Sequence, residues 1–85
     1  MKTFQYVIKD ELGIHARPAG QLVKLLKEYA STVTITKGEK KAEAIRLMAV
    51  MGLGVKKGDT ITVEVDGPDE KYACEAVEKF LQENL

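Results

Sequence analysis

The run Thr60-Ile61-Thr62-Val63-Glu64-Val65-Asp66 alternates without a break between aliphatic and polar side chains. Side chains on a strand point to opposite faces in turn. Such a run therefore belongs to a sheet with Ile61, Val63 and Val65 on a dry face and its other face in water. The rest of the chain must supply partner strands and one apolar layer, on one side only. Thr32-Val33-Thr34-Ile35-Thr36 repeats the pattern with β-branched residues suited to a strand. A third strand is read over residues 2–8, with Phe4, Tyr6 and Ile8 facing inward. Lys37-Gly38-Glu39-Lys40 is a turn, with Gly38 suited to a positive φ, leading into a short strand over residues 41–44.

The helical periodicities supply the covering layer. Ala19, Leu22, Val23, Leu26 and Ala30 recur at offsets of three and four, predicting a helix over residues 16–28. A last helix begins at Pro68 or Asp69, with Glu70 in its first turn and Ala73, Ala76, Val77, Phe80 and Leu81 along its stripe. Between them, Ile45 to Val55 is mostly apolar and too short to span a membrane. It reads as a short helix over residues 47–52, ended by Gly52 or Gly54. So short a helix can bury Leu47, Val50 and Leu53 but not every apolar side chain. Some of Leu47, Met48 and Met51 should stay at the surface, a patch suited to a partner.

The elements run strand, helix, strand, strand, short helix, strand, helix. The economical arrangement is an α+β fold of order βαββαβα: a four-stranded, mostly antiparallel sheet with three helices on one face. No linker, internal repeat or low-complexity segment divides the chain, so residues 1–85 are expected to form one domain. That length exceeds the roughly 40 residues below which disulfides or metals are usually needed. Thirteen basic and thirteen acidic residues leave a net charge of zero, which argues against a dedicated nucleic-acid binder. One cysteine, Cys74, cannot form an internal disulfide, and with one histidine it makes no convincing metal site. Cys74 is read as a small half-buried side chain. No secretory leader or apolar run of about 18 residues is evident, so a cytoplasmic protein without membrane insertion is expected.

The chemistry is expected at Gly13-Ile14-His15-Ala16-Arg17-Pro18-Ala19-Gly20, which holds the only histidine. Pro18 marks a helix start close to His15, since a first-turn proline forgoes no hydrogen bond. A helix start leaves unpartnered N–H groups and a local positive field, a ready site for phosphate. Arg17 opposes that field by roughly 0.3–1 kcal/mol. Such local misfits are expected mainly at functional sites. A bound anion would reverse the sign, with the guanidinium pairing phosphate oxygens. An imidazole can act as a nucleophile and pass a group on. These residues alone define a candidate anion or phosphoryl site, with an ordinary loop histidine as the alternative. Gly20, inside the predicted helix, is read as close packing against a neighbour in preference to room for a partner.

Two stretches, Gly13-Ile14-His15-Ala16-Arg17-Pro18-Ala19 and Leu47-Met48-Ala49-Val50-Met51-Gly52-Leu53-Gly54-Val55, closely resemble the HPr family, the histidine-containing phosphocarriers of the bacterial phosphoenolpyruvate-dependent sugar phosphotransferase system. The Lys57-Gly58 turn and Gly67-Pro68-Asp69-Glu70 agree, and the resemblance covers nearly the whole chain. It implies an HPr-like open-faced sandwich. It also implies that His15 accepts a phosphoryl group on Nδ1 from phosphorylated enzyme I and donates it to enzyme IIA domains of sugar transporters. Arg17 would pair the phosphoryl oxygens, and the backbone N–H groups of Ala16 and Arg17 would assist. Gly20, Lys24, Leu47, Met48 and Met51 would form the docking surface. No metal or cofactor is implied, and the chain would be a monomeric covalent carrier rather than an enzyme. Many relatives carry a kinase-modified serine where Arg46 stands, so this chain is expected to lack that switch. A carrier of a regulatory, nitrogen-linked or dihydroxyacetone branch, and a binding-only regulator, are the alternatives.

Overall fold

The computed structural model describes residues 1–85. Four strands, β1 (Lys2–Val7), β2 (Thr32–Lys37), β3 (Lys40–Glu43) and β4 (Thr60–Asp66), form one sheet in the order β1-β4-β2-β3. Every neighbouring pair is antiparallel. β4 lies inside the sheet, between β1 and β2, and its register shows why its alternation is so regular. Val63 stands opposite Phe4 on one side and Ile35 on the other, and Ile35 stands opposite Ala42. One inward row thus crosses all four strands. The adjacent row, Thr3, Glu64, Thr34 and Glu43, lies on the opposite, wet face.

Three helices, α1 (Ala16–Leu26), α2 (Leu47–Met51) and α3 (Glu70–Asn84), cover the dry face. Ala19, Leu22 and Leu26 of α1, Val50 of α2, and Ala73, Val77 and Leu81 of α3 are buried with Val33, Ile35, Ile61, Val63 and Val65 of the sheet. No polar or charged side chain is buried among them. The two connections that skip a strand, β1-α1-β2 and β3-α2-β4, each join strands that run parallel without pairing. No helix is long and apolar enough to cross a membrane.

Several element ends differ from the expected ones. β1 stops at Val7, although Ile8 still exchanges backbone hydrogen bonds with Gly58 and Asp59 (2.8 and 3.0 Å) and is buried. Phe4 and Tyr6, on an edge strand, are only half-buried. β2 extends to Lys37, and β3 correspondingly begins at Lys40 and ends at Glu43. Helix α1 ends at Leu26, so Ala30 lies outside it and is exposed, and Val23 is half-buried. The cause lies across the fold. Asp69 occupies the position before α3, but its carboxylate does not cap that helix. It accepts hydrogen bonds from the Ala30 N–H (2.9 Å) and the Ser31 hydroxyl, drawing the chain after α1 into a turn. Cys74 is half-buried, and burial pushes its thiol pKa up, against a reactive thiolate.

The same contact makes a pH prediction. The Ser31 hydroxyl, and after it the Ala30 N–H, hold the Asp69 carboxyl below the usual carboxylate range. A carboxylate depressed in the folded state stabilises the fold above its unfolded pKa of about 3.9. That contribution is lost as pH falls through the folded value. In urea unfolding followed from about pH 7 to about pH 2, Asp69→Asn should be less stable than the wild type near neutrality. The gap between the two should close below about pH 4.

Candidate functional site

His15 is the N-cap residue of α1, with φ −128° and ψ 177°. Extended backbone suits an N-cap, whose side chain usually accepts a hydrogen bond from the first helical turn. Here the side chain makes no such bond. The first backbone bond of the helix runs from the Ala19 N–H to the His15 carbonyl (3.0 Å). The N–H groups of Ala16 and Arg17 therefore have no partner within the helix, and Pro18 has none to offer. No acidic residue occupies the first turn, and Arg17 is exposed there without an ion-pair partner. The imidazole, two free amides and one guanidinium thus meet at one helix start.

The loop before the helix is held rigidly. Gly13 has φ +68°, and a Cβ added to it would stand 2.1 Å from the Val55 carbonyl oxygen. Only glycine allows that approach, which lets the Ile14 N–H donate to the same oxygen (3.1 Å). Val55 is itself anchored from the sheet. The Lys37 ammonium donates to the Gly54 carbonyl (2.8 Å) and pairs with the Asp59 carboxylate (3.0 Å), which also accepts the Lys56 N–H (2.8 Å). The Lys56 N–H, then Lys37, hold the Asp59 carboxyl below the usual range. On the other side, the Leu85 carbonyl accepts the N–H groups of Lys9 (2.6 Å) and Asp10 (2.9 Å). The Asp10 carboxylate accepts the Leu12 N–H (2.8 Å) and faces Nε2 of His15 at 3.8 Å.

The sequence reading named His15, Arg17 and the Ala16 and Arg17 amides, and the structure places all of them at the start of α1. It missed the supports: Lys37, Val55, Asp59, Asp10 and Leu85. Only Asp10 left a local signal, as an Asp two residues before a turn amide. The others act through backbone groups or across long sequence separations, where no spacing marks them.

The patch residues lie on α1 and α2, which pack side by side. Met48 is 78% exposed, Leu47 and Met51 are half-buried, and Val50 and Leu53 are buried. α2 ends at Met51 with Gly52 as its cap, and Gly54 takes the positive φ. Lys24 is exposed. The packing reading of Gly20 is wrong: nothing lies within 4 Å of where its Cβ would be. A smooth, open strip of α1 results. Arg46, exposed, precedes α2 without capping it by its side chain. None of the surface grooves is lined by His15 or Arg17, so this site has no concave walls of its own.

The open-faced sandwich thus presents, at the start of α1, a histidine whose side chain leaves the helix uncapped, followed by an exposed arginine. A family model described as "PTS HPr component phosphorylation site" matches residues 2–83. The phosphocarrier protein HPr of Lysinibacillus sphaericus is 45% identical over 83 residues, 98% of this chain and 94% of that one. The crystal structure of HPr-C-His from Thermoanaerobacter tengcongensis superposes with a TM-score of 0.90 at 33% identity, covering 96% of this chain and 92% of that one. The phosphoryl donor subunit DhaM of the phosphoenolpyruvate-dependent dihydroxyacetone kinase of Providencia stuartii is 37% identical over 98% of this chain, a match covering 17% of the larger protein. The chain belongs to the HPr family.

The clamp at Gly13 is open to test. Gly13→Ala introduces a left-handed non-glycine residue and a clash with backbone. It should cost more than about 2 kcal/mol in urea unfolding.

Proposed function

We propose that this chain is a phosphoryl carrier of the phosphotransferase system, with His15 as its covalent acceptor. The observation that carries the reading is the uncapped helix start: His15 stands at the N-cap of α1 without using its side chain there, beside the free amides of Ala16 and Arg17. Nδ1 of His15 takes the phosphoryl group from phosphorylated enzyme I and gives it to enzyme IIA domains of sugar transporters. The phosphorus–nitrogen bond forms as the donor's bond to phosphorus breaks. Nothing else in the chain needs to react, because phosphoryl transfer is mainly positioning and charge stabilisation. The two amides and the Arg17 fork meet the phosphoryl oxygens. The chain is a covalent intermediate between enzymes, working in the cytoplasm as a monomer without metal or cofactor.

The docking surface is Gly20, Lys24, Leu47, Met48 and Met51. It couples an exposed methionine and an open helix strip to the basic residues Arg17, Lys24 and Arg46. An apolar centre with a charged rim gives fast, reversible encounter, which a carrier with several partners requires. Partners supply the walls that the site lacks. Arg46 has no hydroxyl, so a serine kinase acting at that position finds no acceptor here. Likeness to the DhaM segment supports a second reading, in which the same site serves a dihydroxyacetone branch.

Incubation with phosphoenolpyruvate and enzyme I, followed by intact mass, should add one phosphate to the wild type and none to His15→Ala. The adduct should disappear in mild acid. Met48→Asp should fold normally and accept the group roughly tenfold more slowly or worse. No adduct with the enzyme I of the chain's own genome would overturn the reading. A carrier loaded by that enzyme but accepted only by a dihydroxyacetone branch would favour the second one.

A further inference from the structure

The Asp10 carboxylate faces the side chain of His15. One of its oxygens, Oδ2, stands 3.8 Å from Nε2 of His15. The separation is too long for a direct hydrogen bond. The carboxylate is aimed rather than loose. Its other oxygen, Oδ1, accepts the Leu12 N–H at 2.8 Å, and the Asp10 N–H is held by the Leu85 carbonyl at 2.9 Å. The neighbouring Glu11 belongs to a different contact, 3.9 Å from the Lys57 ammonium and largely exposed. Asp10 is thus the one carboxylate placed at His15, on the nitrogen opposite the proposed acceptor.

We infer that Asp10 is a positioning residue that holds the neutral His15 ring in the tautomer with its proton on Nε2. Which imidazole nitrogen carries the proton is set by the partner of the other. A carboxylate, an acceptor only, draws the proton to Nε2 and leaves the lone pair on Nδ1. Attack then moves no proton. The Nδ1–phosphorus bond forms as the donor's bond to phosphorus breaks, Nε2 keeps its hydrogen, and the positive charge gained by the ring lies beside Asp10. The Leu12 turn and the Leu85 carbonyl fix the carboxylate, so the loop and the end of α3 set the ring's orientation together. The consequence for transfer rests on the carrier reading above, whereas the tautomer preference can be measured without any partner.

Asp10→Asn is the informative variant. Its side-chain carbonyl can still accept the Leu12 N–H, keeping the turn, while its NH2 group replaces the oxygen facing Nε2. A donor there favours the lone pair on Nε2 and so moves the proton to Nδ1. Ring 15N chemical shifts of the full chain, recorded at a pH where His15 is neutral, should show Nε2–H dominant in the wild type. The Nδ1–H fraction should rise several-fold in Asp10→Asn, with backbone amide shifts away from the loop unchanged. Phosphoryl acceptance from enzyme I should fall about tenfold or more, tenfold being the low end of the loss when a metal-bound histidine is deprived of its orienting carboxylate. An unchanged tautomer ratio would overturn the inference, and so would a shifted ratio with an unchanged rate. If the wild type accepts no phosphoryl group, the carrier reading fails while the tautomer comparison still decides the role of Asp10 on the ring.

Discussion

Everything in this molecule leans on the burial of the inward row of one interior strand. β4 lies between β1 and β2, and Ile61, Val63 and Val65 are completely buried. Because successive side chains alternate, sealing these residues under helices commits Thr62 and Glu64 to the other face. A slip of one residue would put threonines in the core and aliphatics in water, so the register is strongly specified. α1 and α3 are placed by the need to cover this row. The histidine is placed in turn because α1 has to start where the strand order lets it cross the sheet.

The site is made of groups left unsatisfied by that layout. A helix laid over a sheet must begin somewhere, and its first amides have no carbonyls to meet. In most helices an oxygen-bearing side chain closes that end. A histidine that fails to close it leaves two donors and an imidazole side by side. The surrounding loops then do mechanical work. Gly13 against Val55, with Lys37 bracing the loop behind it, converts sheet rigidity into a fixed position for one ring.

Much of this was legible in the sequence, and what was not has physical reasons. Strict alternation gave three of the strands, the turn at Gly38 gave the fourth, and offsets of three and four gave the two long helices. The surplus of apolar residues between Ile45 and Val55 pointed to a surface patch, and Met48 stands exposed there. The end of α1 was misplaced because it depends on Asp69, thirty-nine residues from Ala30 in the chain. Gly20 was read as packing because a glycine in a helix carries no sign of whether a neighbour approaches it. Space is a tertiary property, and here the space is empty. His15 and Arg17 were readable because their chemistry is unusual for a helix start. Asp10 was not, because an aspartate in a turn is ordinary until the fold places a ring beside it.

The carbonyl of Leu85 gives the structure a dynamic consequence. It ends the last helix and at the same time accepts the amides of Lys9 and Asp10. Those two amides therefore belong, in hydrogen exchange, to the helix and not to the neighbouring strand. Helix ends fray at low free-energy cost. Opening of the final turn of α3 therefore releases the Lys9 and Asp10 amides, while the Ile14 N–H bond to the Val55 carbonyl still holds the loop next to the histidine.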